Sequence, residues 1–185
     1  MKVTKTKLNC ALVFEPKVFG DNRGFFMETW NQQRYKDAGL DVNFVQSNLS
    51  KSSKGVLRGL HFQNPNPQGK LVQILTGEVF DVAVDIRQGS PTFGQWHGEI
   101  LTGDNHKQFY IPEGFAHGFC VLSDTAIFSY MCTNLYSPTD EISLMWNDAS
   151  IAIDWPINNP SLSDKDKSAF RLDEIPKHKL PKYLL

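Results

Sequence analysis

Apolar and polar residues alternate in short runs along most of the chain, and the runs are separated by clusters rich in Gly, Pro, Asn, Asp and Ser. Successive side chains on a strand point to opposite faces, so a period of two marks a half-buried strand, while the turn residues reverse the chain. The pattern predicts strands at 11–15, 25–30, 44–49, 56–63, 70–76, 78–86, 96–101, 108–111, 118–122 and 126–133, with shorter ones at 142–146 and 152–154. Between them lie Gly20-Asp21-Asn22-Arg23-Gly24, Asn64-Pro65-Asn66-Pro67-Gln68-Gly69, Gln88-Gly89-Ser90-Pro91 and Gly103-Asp104-Asn105. Short strands at this spacing build a sandwich or a barrel. Two helical segments interrupt them. One is 31–38, opened by Asn31 and closed by Gly39; the other starts at Ser163, where Ser163-Asp164-Lys165-Asp166 resembles a capping box. Nothing repeats and nothing is of low complexity, so 1–185 reads as one all-β domain with a few short helices.

Composition narrows function more than fold. The 185 residues are 41% hydrophobic and 21% charged, which suits a packed core and excludes disorder. A net charge of -1 argues against a nucleic-acid partner, whose binders carry basic patches. A small anion is still compatible, because a few placed Arg and Lys suffice to hold one. No apolar run approaches the roughly 18 residues of a membrane span, and residues 1–7 are polar and basic without an apolar stretch behind them. Neither a membrane partner nor a signal peptide is expected. Cys10, Cys120 and Cys132 are odd in number and form no C-x-x-C pair, as expected of a chain in the reducing cytoplasm.

Two segments carry candidate chemistry. The first is Leu57-Arg58-Gly59-Leu60-His61-Phe62-Gln63, followed by a Pro-rich loop and Gln68-Gly69-Lys70-Leu71-Val72-Gln73-Ile74-Leu75-Thr76-Gly77. The second is Ile111-Pro112-Glu113-Gly114-Phe115-Ala116-His117-Gly118-Phe119. Together they resemble the paired motifs of the cupins: H-x-H, a spacer, Glu, six residues and Gly, then P-x-G-x-x-H. That resemblance implies a cupin-type double-stranded β-helix, a jelly-roll barrel. The second motif is intact in Pro112, Gly114 and His117. The first is altered: Gln63 stands for the second His, the spacer is longer, and Lys70 takes the place of Glu. A metal needs about three protein ligands, commonly His and carboxylate, and an ammonium repels it. The same ammonium stabilises an oxyanion that develops during reaction. A metal-free, cofactor-free site for a keto sugar or a similar substrate is therefore expected, and not oxygen chemistry.

Over nearly its whole length the chain resembles the dTDP-4-dehydrorhamnose 3,5-epimerase family. Besides the two motifs, the matching segments are Val18-Phe19-Gly20-Asp21-Asn22-Arg23-Gly24-Phe25-Phe26, Phe44-Val45-Gln46-Ser47-Asn48, Gly77-Glu78-Val79-Phe80-Asp81-Val82-Ala83-Val84-Asp85-Ile86-Arg87, Ser90-Pro91-Thr92-Phe93-Gly94, Tyr136-Ser137-Pro138, Trp146-Asn147-Asp148 and Leu162-Ser163-Asp164-Lys165-Asp166. The resemblance implies that His61 is the base beside the keto group and Tyr130 the acid on the opposite face. It pairs Asp166 with His61, sets Lys70 against the enolate oxygen, and stacks Tyr136 on thymine opposite Phe19 of a neighbouring chain. Arg23, Glu28, Gln46, Asn48, Arg58, His117, Glu141 and Lys165 match positions that bind the nucleotide sugar, a dTDP-4-keto-6-deoxy sugar. A homodimer is implied, with an N-terminal strand arm at about 1–50 exchanged between chains and a short helical tail at about 160–185. The chain departs from the family pattern at Met131, where Lys is common, at Leu135, where Tyr is common, and in a tail after Asp166 that lacks the usual Pro.

Each of these residues also has a plainer reading. His61 by itself is compatible with a hydrogen-bonded core histidine, Lys70 with a solvated strand end, and Tyr130 with barrel filling. Asp166 is also the third residue of a capping box. Phe19 and Tyr136 are compatible with ordinary packing or surface aromatics, and Trp146 and Trp155 read as packing. Strict alternation puts Arg58 on the face opposite His61, so a shared ligand requires a bulge or the adjacent strand end. His97, His106 and His178 fall in predicted turns or in the tail and receive no role. Three rivals stay open: an epimerase that inverts one carbon or takes another nucleotide sugar, a non-catalytic cupin sugar-binding module, and a metal dioxygenase. The altered first motif disfavours the last.

Overall fold

Alternating burial sorts the strands into two facing sheets. The structure, a computed structural model, describes residues 1–8 and 10–183. One sheet has the spatial order β1 (Lys2–Lys5), β2 (Leu12–Glu15), β10 (Gln108–Ile111), β7 (Lys70–Thr76), β12 (Thr125–Cys132) and β5 (Gln46–Ser53). The other has the order β13 (Glu141–Ser143), β6 (Leu57–Gln63), β11 (Phe115–Val121), β8 (Glu78–Asp85) and β9 (Trp96–Thr102). Neighbouring strands in both are antiparallel. Val72, Ile74, Phe109 and Phe128 of the first sheet pack against Val79, Leu101, Phe115 and Val121 of the second. Each such side chain contributes about 1.5–3 kcal/mol on full burial. This is the jelly-roll barrel expected of a cupin.

Both sheets also have covered outer faces. The helix α1 (Gln32–Asp37) lays Tyr35 on Phe14, Leu71 and Tyr110 of the six-stranded sheet. Ile151, Trp155, Leu172 and Ile175 from the C-terminal third cover Phe62, Val82 and Val84 of the five-stranded sheet. A strand buried on both faces loses its alternation, and β11 is buried at all seven positions. The helix starts were readable: Asn31 accepts a hydrogen bond from the Arg34 N–H, and Ser163 accepts one from the Asp166 N–H at the start of α2 (Asp164–Lys167).

Several expectations shift. The predicted strand 25–30 ends at Met27, because it belongs to a separate ribbon of β3 (Val18–Asp21) and β4 (Gly24–Met27). Strand 44–49 becomes Gln46–Ser53, whose Ser-rich end reads as loop but pairs along β12. Residues 152–154 form no strand; Ala152 has φ 53 and its N–H donates to the Asp148 carbonyl. His97 lies within β9, inside the strand predicted at 96–101 and not in a turn. Of the N-terminal arm, β1 and β2 pair within this chain's own sheet, and only the β3–β4 ribbon pairs with no other strand among the described residues. No helix among the described residues is long and apolar enough to cross a membrane.

Candidate active site

A cavity of about 390 Å³ opens between the sheets, lined by Arg58, His61, Lys70, His117, Tyr130 and Asp166. That volume falls in the range of about 300–1,000 Å³ typical of small-molecule sites. Its two chemical walls come from different sheets. His61 and Arg58 stand on β6 and His117 on β11, whereas Lys70 and Tyr130 stand on β7 and β12. Phe119 and Phe128 stack at 4.1 Å between ring centroids and form an apolar part of the lining.

The problem of Arg58 is solved by a bulge in β6. His117 pairs with His61 and Phe119 with Arg58, so β6 advances three residues while β11 advances two. One extra residue reverses the alternation and brings Arg58 to the side of His61. Gly59 sits inside the bulge at φ 107, where a Cβ would come within 2.6 Å of the His117 carbonyl oxygen. Arg58 Nε donates to Ser52 Oγ at 3.0 Å, which steadies the guanidinium.

His61 Nε2 lies 2.6 Å from Asp166 Oδ1. Asp166 is 3% exposed, and its second oxygen accepts from Ser163 Oγ at 2.8 Å. Burial works to raise its carboxyl, but the hydrogen bonds from His61 and Ser163 outweigh that and hold it below the ordinary value. Ser163 caps the helix through the Asp166 N–H while the Asp166 carboxylate is shared between His61 and the Ser163 hydroxyl, so the cap and the dyad coexist. On the other side of the imidazole, Glu141 Oε1 is 3.7 Å from Nδ1. Glu141 Oε2 accepts from Lys165 Nζ at 2.7 Å and from the Tyr136 hydroxyl at 2.9 Å.

The remaining charges are set by burial. His117 Nε2 lies 3.0 Å from both oxygens of Asp81, yet burial prevails and, with Lys70 and His61 nearby, lowers its pKa. Burial also draws Lys70 below the usual lysine range, against the opposing pull of Cys132, Glu141 and Asp81. Tyr130 is raised by burial, so its phenol keeps a proton at neutral pH. One face thus offers an oriented imidazole, and the other a protonated phenol and a desolvated lysine. Such a set can move protons on carbon beside a carbonyl and stabilise the oxyanion that results.

Two of the positions that bind metal in cupins hold other groups here, Gln63 and Lys70. Gln63 spends its side chain on the backbone of Asn66, Leu135 and Ser137. Among the described residues no group of three or more His, Cys, Asp or Glu is arranged to hold a metal ion.

The sequence profile described as dTDP-4-dehydrorhamnose 3,5-epimerase matches residues 5–174. A curated relative of that name from Shigella flexneri is 61% identical over 168 residues, which cover 90% of this chain and 93% of the relative. The chain belongs to the dTDP-4-dehydrorhamnose 3,5-epimerase family. A relative of the same name from Salmonella typhimurium is 58% identical over 177 residues, covering 94% of this chain and 97% of its own. A crystal structure from Legionella pneumophila Philadelphia 1, described as dTDP-6-deoxy-D-glucose-3,5-epimerase in complex with dTDP-4-keto-L-rhamnose, superposes with TM-score 0.97 at 52% identity. It covers 100% of this chain and 99% of the other. Membership in the dTDP-4-dehydrorhamnose 3,5-epimerase family makes the chain an isomerase.

Not every residue matched to the epimerase family reaches the cavity. Gln46 and Asn48 flank it on β5: Gln46 Nε2 donates to Asn48 Oδ1 at 2.9 Å, and Asn48 lies opposite Tyr130. Tyr136 is half exposed at the rim. Phe19, Arg23 and Glu28 lie elsewhere, on or next to the β3–β4 ribbon. Arg23 pairs with Asp21 at its tip, and Glu28 with Arg34. Two partners of the cavity residues escaped the sequence reading. Asp81 had a usable signal, since it is an acid in the middle of an apolar strand; the bond from Ser163 to Asp166 had only the capping box.

Proposed function

We propose that this chain inverts carbons 3 and 5 of dTDP-4-dehydro-6-deoxy-D-glucose, giving dTDP-4-dehydro-L-rhamnose for dTDP-L-rhamnose biosynthesis. The observation that carries the reading is that an imidazole oriented by a buried carboxylate and a protonated phenol enter one cavity from different sheets. Both carbons flank the keto group, so one base and one enolate stabiliser serve each in turn. His61 removes the proton from one face, the electron pair moves onto the keto oxygen beside Lys70, and Tyr130 returns a proton from the other face. The ketone is the electron sink, so neither metal nor cofactor takes part. The complex of the Legionella relative with dTDP-4-keto-L-rhamnose supports the class of substrate.

Arg58, His117, Glu141 and Lys165 hold the diphosphate and sugar in this reading, Gln46 and Asn48 line the nucleoside side, and Tyr136 stacks on thymine. Phe19, Arg23 and Glu28 act from a second copy in a homodimer. Support comes from the ribbon, which exposes Phe19, Phe25 and Phe26 and pairs with no other strand among the described residues. The buried thiols Cys120 and Cys132 suit a reducing cytoplasm. Incubation with the keto sugar in deuterated water tests the function. Deuterium at both carbons of an inverted product is expected, whereas label at one carbon alone, with single inversion, overturns the double epimerisation.

A further inference from the structure

Gln63 stands where the cupin pattern has a metal ligand, and the acid–base chemistry leaves it no task. It is 4% exposed, two residues beyond His61 on β6, and lies opposite Glu141 on β13. Every polar atom of its side chain is engaged. Nε2 donates to the carbonyls of Asn66, at 2.9 Å, and Leu135, at 3.3 Å, while Oε1 accepts from the Ser137 N–H at 3.0 Å. Leu135 and Ser137 are the two neighbours of Tyr136. A buried amide bonded to both therefore fixes the backbone of the residue between them.

Two other glutamines complete the clamp. Gln68 Nε2 donates to the Asn134 carbonyl at 2.8 Å, and Gln46 Oε1 accepts from the Tyr136 N–H at 2.9 Å. Consecutive residues 134–137 are thus held by side chains from β5, β6 and the β6–β7 loop. Among the described residues the Tyr136 ring has one polar tether, from its hydroxyl to Glu141, and it stays half exposed. Its place at the rim depends on its backbone, and Gln63 is the member of the clamp that is buried on the strand of the base.

We infer that Gln63 is a positioning residue that holds Tyr136 in place as the platform for the nucleobase, and so acts on nucleotide affinity and not on proton transfer. The inference rests on the reading of Tyr136 as the thymine contact. An amide meets this need and an imidazole does not, since Gln63 donates twice and accepts once, whereas neutral imidazole has one donor and one acceptor. The substitution that disfavours a metal ligand is the one that anchors the loop.

Titration calorimetry with dTDP and with inorganic pyrophosphate, alongside kcat and KM, tests this on Gln63→Met, Tyr136→Ala and the double variant. Gln63→Met is expected to weaken dTDP at least about tenfold and raise KM, with pyrophosphate affinity and kcat within about threefold. In the Tyr136→Ala background the second substitution should add little, because residues acting through one contact are not additive. Unchanged dTDP affinity in Gln63→Met, equal losses for dTDP and pyrophosphate, or full additivity overturns the proposal. Failure of Tyr136→Ala alone to weaken dTDP removes the underlying reading instead. If Gln63→Met does not fold, Gln63→Glu, which keeps the shape and the acceptor for Ser137 but turns an oxygen toward the Asn66 and Leu135 carbonyls, should show the same split; unaltered dTDP affinity there overturns the proposal as well.

Discussion

His61 and Asp166 lie 105 positions apart in sequence and 2.6 Å apart in space. Neither can shift freely, since His61 is fixed by the pairing of β6 with β11 and Asp166 by the cap of α2. The carboxylate orients the imidazole, much as the third member of a catalytic triad does. Asp166→Asn is expected to lower kcat/KM by about 10²–10⁴-fold, the usual range for a general acid–base contribution.

The same substitution has a signature in stability. The Asp166 carboxyl is held below its ordinary value of 3.8 in the folded chain. Its contribution is therefore present in full above that value and is lost as pH falls through the lower folded value. The Tm difference between wild type and Asp166→Asn should be widest near neutrality and shrink below about pH 4. A difference that does not change with pH would show that the carboxylate does not titrate below its ordinary range.

Lys70→Met keeps the packing and deletes the ammonium. Turnover at saturation is expected to fall about 10²–10³-fold, as for loss of one oxyanion donor, with a much smaller change in dTDP affinity. A variant that loses dTDP binding but keeps kcat would reassign Lys70 to phosphate recognition.

Much of this was legible in the sequence because the signals were local. Helix caps at Asn31 and Ser163, the strands bearing His61, Lys70 and Tyr130, and the altered cupin motif all lie within short windows. What escaped was not local. The polar strand β1 and the exposed ribbon strand β3 bury no face of their own, so they show no useful alternation. Alternation alone puts Arg58 on the face opposite His61, and the bulge that brings it round depends on β11 as much as on β6. The role of Gln63 depends on a loop 72 residues away.

The bulge makes its own prediction. Gly59→Ala forces a side chain into φ 107 and against the His117 carbonyl. A loss of about 1–3 kcal/mol or more is expected in urea unfolding, with a raised KM as Arg58 is displaced. Stability within about 0.5 kcal/mol of wild type would contradict the bulge.

Exchange of the ribbon is testable by complementation. Chains carrying His61→Ala and Arg23→Ala are each impaired, but a mixed dimer holds one site with an intact pocket and an intact partner ribbon. After denaturation and refolding together, roughly a quarter of wild-type activity should return, since half the dimers are mixed and half of their sites are intact. Activity no higher than the mean of the parents would place Arg23 at its own chain's site.

Base and acid are proposed to act from opposite walls, and Tyr130→Phe separates their roles. The substitution keeps the ring beside Phe128 and removes only the phenolic proton donor. In deuterated water, followed by proton NMR, the variant should still wash deuterium into at least one carbon beside the ketone while forming little inverted product. His61→Ala should lose both exchange and inversion. Inversion of both carbons by Tyr130→Phe at near wild-type rate would make Tyr130 a packing residue and leave the opposite wall without its acid.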